Sequence, residues 1–61
     1  MSKRKIAANQ RRSLDVMHIK VESMAALWAD YDPEMLGELE ELADSIKGCI
    51  EEMTRLCTDD E

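Results

Sequence analysis

At 61 residues the chain is one domain at most, and a domain this small buries too little of its surface to be stable without a staple or a second copy. Two cysteines, one histidine and no CxxC or Cys/His cluster provide neither a disulfide framework nor a metal site, which leaves self-association as the expected remedy. The net charge of −6 argues against strong non-specific binding to nucleic acid, and the longest apolar run falls far short of the roughly 18 residues of a membrane span.

The opening Met-Ser-Lys-Arg-Lys-Ile is basic like the start of a signal peptide. Asn9, Gln10, Arg11 and Arg12 stand where its apolar segment would be, so no signal peptide is expected. Sparse free cysteines fit a reducing compartment, and a soluble chain in the cytoplasm is the expectation. From Ala7 onward, Gln10, Leu14, Met17, Val21, Met24, Trp28 and Tyr31 recur at alternating spacings of three and four, the period of one helix face. This predicts a first helix over about residues 3–29.

The single proline lies in Asp30-Tyr31-Asp32-Pro33-Glu34. Asp32 suits a helix N-cap, Pro33 the first helical position and Glu34 the positive end of the helix dipole, so residues 30–32 read as a turn. A second helix follows over about 33–57. Its apolar row is Met35, Leu39, Leu42, Ile46, Cys49, Met53 and Leu56, flanked by Leu36, Ala43, Ile50 and Cys57 seven apart. A face this wide belongs to a bundle helix rather than to a two-stranded seam.

A short turn makes the helices antiparallel neighbours. The matched heptads pair Trp28 with Met35, Met24 with Leu39, Val21 with Leu42, Met17 with Ile46, Leu14 with Cys49, Gln10 with Met53 and Ala7 with Leu56. Residues 1–31 carry six basic and three acidic side chains, residues 32–61 two and eleven, so the halves attract. Lys3, Arg4 and Lys5 would return beside Asp59, Asp60 and Glu61. Two helices cover each other along one line only. The fold class expected is therefore all-α, a two-helix antiparallel hairpin of one domain dimerising into a four-helix bundle, with three-helix or higher assemblies as alternatives. The self-association core is read as Leu14, Met17, Val21, Met24, Trp28, Leu39, Leu42, Ile46, Cys49, Ile50, Met53 and Leu56.

Methionine can line an adaptable groove or fill a core, and with Met17, Met24, Met35 and Met53 on the seam the core reading is preferred. Gly37 and Gly48 either permit close approach of another chain or are tolerated on the surface. Cys49 and Cys57 are about 12 Å apart along one helix, beyond the roughly 7 Å span of an intramolecular disulfide, and read as buried thiols. His18 forms no local chelate with them. The carboxylates Glu38, Glu40, Glu41, Asp44, Glu51 and Glu52 read as a solvated face. No nucleophile elbow, phosphate loop or zincin motif is present, and neither an enzyme nor a cofactor is expected.

Arg4 and Arg11 share one heptad row and Lys5 and Arg12 the next, a basic stripe that could follow a nucleic-acid backbone. The stacking groups Trp28 and Tyr31 lie at the far end, so salt pairing with the acidic helix is preferred. Val16, Ile19 and Ala26 fall outside the seam and, with Arg11 and Arg12, have the composition of a protein-binding patch. The expected function is that of an interaction protein, with a nucleic-acid regulator as the alternative.

The predicted shape is similar, in architecture only, to the plasmid repressor of primer. The stretch RRSLDVMHIKVESMAALWADYDPEMLGELEELADSI, residues 11–46, resembles the small accessory proteins encoded between the exonuclease and excisionase genes of lambdoid bacteriophages. That resemblance implies an early phage protein acting in the bacterial cytoplasm on host takeover or on the balance between lysis and lysogeny. It carries over no catalytic or binding residue.

Overall fold

A computed structural model describes residues 2–58. Two helices, α1 (Lys3–Trp28) and α2 (Pro33–Thr58), pack along each other as an antiparallel hairpin. The result is a rod whose Cα atoms extend 47 × 14 × 13 Å. Each helix begins on a side-chain cap that satisfies otherwise orphaned amides. Ser2 Oγ accepts from the Lys5 amide at 3.3 Å. Asp32 Oδ1 accepts from the amides of Glu34 at 3.0 Å and Met35 at 3.3 Å, the cap its place before Pro33 leads one to expect. The chain turns within residues 29–32, where the amides of Tyr31 and Asp32 both donate to the Trp28 carbonyl, at 3.0 and 2.9 Å.

Exposure follows a heptad in both helices. On α1 the covered positions run through Ala7, Arg11, Leu14, His18, Val21 and Ala25. On α2 they run through Leu36, Leu39, Ala43, Ile46, Ile50, Met53 and Cys57. The buried residues among those described are Ala7, Ala25, Leu39 and Ala43. Three are alanines, so the helices can approach closely and the line between them is narrow.

The narrow line corrects the layers expected from the sequence. Both helices are rotated so that the next position along each faces its neighbour: Arg11, His18 and Ala25 instead of Gln10, Met17 and Met24, and Leu36, Ala43 and Ile50 instead of Met35, Leu42 and Cys49. Met17 is 52% exposed and Leu42 48%. In the pairings of Met24 with Leu39, Val21 with Leu42, Met17 with Ile46 and Leu14 with Cys49, one member is inward and the other faces out. At Ala7, Ala25 and Ala43 the contact is closed by methyl groups, so the helices lie close there, and Met17, Met24 and Leu42, one position back, sit beside the line. The pairing expected for Lys3, Arg4 and Lys5 with Asp59, Asp60 and Glu61 lies outside the described residues.

Candidate interaction surfaces

One position before the inward row of α1 is the row Gln10, Met17, Met24 and Tyr31, and the corresponding row of α2 is Met35, Leu42, Cys49 and Leu56. In an antiparallel pair such flanking rows lie on the same side of the seam. A shallow groove of about 440 Å³ on that side is accordingly lined by Gln10, Ser13, Leu14, Met17, Cys49 and Met53 from both helices. From Gln10 onward neither row contains a charge, and Lys3 heads the α1 row at the open end. The opposite side differs: its groove, lined by Glu22, Ala25, Ala26, Leu36, Glu40 and Ala43, carries carboxylates from both helices. The hairpin has one apolar face and one polar face.

The basic stripe is divided by the same rotation. Arg4 Nε donates to the carbonyl of Cys57 at 3.1 Å, so this guanidinium closes the end of α2. Arg11 is half-buried in the inward row. Lys5 and Arg12 are exposed and belong to a single row, seven apart, that continues through Ile19 and Ala26. Val16 lies one turn from both Arg12 and Ile19, and Val16 and Ile19 are 66% and 63% exposed. Of the patch read from the sequence, Arg12, Val16, Ile19 and Ala26 thus share the outer surface of α1, and Arg11 turns into the seam.

Of the residues assigned to self-association, Leu39 is buried and Leu14, Val21, Ile46, Ile50, Met53 and Leu56 are half-buried. Met17, Met24, Trp28, Leu42 and Cys49 are exposed in the hairpin. The continuous apolar face is not evident from the sequence, because apolarity alone places its two rows inside the hairpin. Its signal was present in the seven-residue spacing of Met17 and Met24 and of Met35, Leu42, Cys49 and Leu56.

His18 is half-buried with Nδ1 3.4 Å from Glu22 Oε1, one turn on. Both cysteines are free. Cys57 is half-buried, whereas Cys49, expected inside, is exposed on the apolar face. Among the described residues no three His, Cys, Asp or Glu side chains are grouped to hold a metal ion, and no helix is long and apolar enough to cross a membrane.

No protein-family model, curated protein or solved structure matches this chain. The two faces of the hairpin are therefore what a functional reading has to explain. They differ in kind: the apolar face is broad, uncharged from Gln10 to the turn and built by both helices, and the outer row of α1 is a small mixed patch on one helix.

Proposed function

We propose that the chain is a non-enzymatic accessory protein that acts as a homodimeric four-helix bundle and binds a bacterial or phage protein, altering its activity during host takeover or in the choice between lysis and lysogeny. The phage setting rests on the resemblance of residues 11–46. The observation that carries the binding reading is the exposure of Val16 and Ile19 beside Arg12 on the outer surface of α1. Packing within the hairpin gives these β-branched side chains no cover, and an apolar centre with a basic rim matches the anatomy of a protein interface. The neighbouring Lys5 gives the patch a positive field, so an acidic partner surface suits it.

A non-enzymatic role is supported by the carboxylates, since Glu38, Glu40, Glu41, Asp44, Glu51 and Glu52 are all exposed to solvent. Nucleic acid is the weaker partner because Arg4 is engaged by the Cys57 carbonyl and Arg11 is half-buried, which reduces the four-residue stripe to Lys5 and Arg12 as its outward part.

Affinity capture from host lysate, before and after nuclease treatment, tests the reading. A specific protein should be retained after nuclease, and Ile19→Ser should weaken its capture while leaving the dimer intact. Capture that disappears with nuclease would instead support the regulator of RNA or DNA.

A further inference from the structure

We infer that the apolar face carrying Met17, Met24, Leu42 and Cys49 is covered by a second copy of this chain, and that the two hairpins lie with their turns at the same end, each α1 beside the partner's α2. The inference deepens the dimer reading above and rests on it. Two observations lead to it, one for the occupant and one for its orientation.

The first is area. A folded monomer of 7.0 kDa should expose about 4,000 Å², whereas the hairpin exposes 4800 Å². The excess, about 800 Å², is the share each partner contributes to a standard protein interface. The methionine-rich rows, free of charge from Gln10 onward, lie on one side of the molecule, and the carboxylates Glu22 and Glu40 flank the groove on the other. A second hairpin presents a matching face of the same length, and two such faces apposed form a four-helix core.

The second is charge. Helix α1 holds six basic and two acidic residues, a balance of +4, and α2 holds two basic and seven acidic residues, a balance of −5. Two hairpins can stack face to face about a two-fold axis in two ways. With the axis perpendicular to the helices, the turns lie at opposite ends, α1 lies beside its own copy and α2 beside its own copy. With the axis along the helices, the turns lie together, every helix has two neighbours of opposite sign, and like helices meet only across the diagonal.

Helix axes in contact are about 8–10 Å apart, close to the Debye length of about 8 Å at physiological salt, so neighbouring helices interact while diagonal ones are screened. The rows that border the apolar face repeat the pattern. The α1 border contains Lys20, and the α2 border contains Glu38 and Glu52. The parallel axis sets these borders against each other.

The test measures the mass of the unsubstituted chain by light scattering and places a spin label at the exposed turn residue Asp30 by an Asp30→Cys change in a Cys49→Ala, Cys57→Ala background, whose mass is checked in the same way. A mass of twice 7.0 kDa with a label separation within about 20 Å, two helix spacings, is the expected result. A dimer whose labels lie apart by roughly the 47 Å length of the rod would overturn the orientation and leave the dimer standing. A stable folded monomer of the unsubstituted chain would overturn both. Independently, Lys20→Glu should raise the dimer dissociation constant about three- to tenfold at low salt and less at high salt. An unchanged constant at low salt would count against the same-end arrangement.

Discussion

Arg4 and Cys57 lie 53 positions apart in the chain and close the open end of the hairpin: the guanidinium Nε of one donates at 3.1 Å to the backbone carbonyl of the other, and the Cys57 thiol is 4.0 Å from the Arg4 carbonyl. The carbonyl belongs to the last described turn of α2, where a cation is favourable both as a donor and against the helix dipole. Arg4→Ala should fray the last turn of α2 and cost about 0.5–1 kcal/mol, since the pair is exposed. Amide exchange should quicken at Leu56 and Cys57 with little change near the turn. Equal acceleration along the whole of α2 would show that Arg4 acts on global stability rather than on the end.

Among the described residues Leu39 is the one large side chain that the hairpin buries by itself, at 7% exposure. Leu39→Ala should cost about 2–5 kcal/mol in denaturant unfolding, because alanine neighbours such as Ala43 cannot spread to fill the space. Leu42→Ala, on the apolar face, should act chiefly through the dissociation constant of the dimer. Leu42→Asp should prevent association by placing an unpaired charge in the covered face. Retained dimerisation of Leu42→Asp would remove that face from the interface.

A Cβ built at Gly37 or Gly48 meets nothing within 4 Å. Both glycines lie within α2, where each costs about 1 kcal/mol relative to alanine. Gly37→Ala and Gly48→Ala should therefore each raise stability by up to about 1 kcal/mol and leave the dimer intact. Loss of the dimer on either change would mean that another chain packs against the glycines, contrary to the assignment of the interface to the Met17 and Leu42 side.

Replacing Cys49 and Cys57 together by alanine should preserve the helical fold and partner capture, with a modest loss of packing from each sulfur. Circular dichroism and the capture experiment would check this. A large loss of capture at unchanged helicity would point to chemistry at a thiol.

The punctuation of the hairpin was legible from local chemistry alone. Asp32 before Pro33 fixed the start of α2, and the alternation of threes and fours ran through both helices. The facing rows were not legible, for a physical reason. By apolarity Met17 outranks His18 and Leu42 outranks Ala43, so the sequence alone points the bulky rows inward. Whether methionine or alanine occupies the line of contact depends on how near the two helices come, and a single helix pattern does not contain that distance. Arg11, read as part of the outer patch, is half-buried because it shares the inward row with His18 and Ala25. The outer residues Val16, Ile19 and Ala26 were identifiable because they lie away from either choice of seam.

The alanines at positions 7, 25 and 43 give the two directions across the rod unequal tolerance for change. Where methyl groups set the separation of α1 and α2, any larger side chain must push the helices apart along their whole length, so these positions should accept glycine or serine more readily than valine or leucine. The Met17 and Leu42 side is lined by flexible side chains with several rotatable bonds, and exchanges among methionine, leucine and isoleucine there can be absorbed locally. Sequence drift in this protein should therefore be strongly directional, frozen along one side of each helix and permissive a quarter turn away.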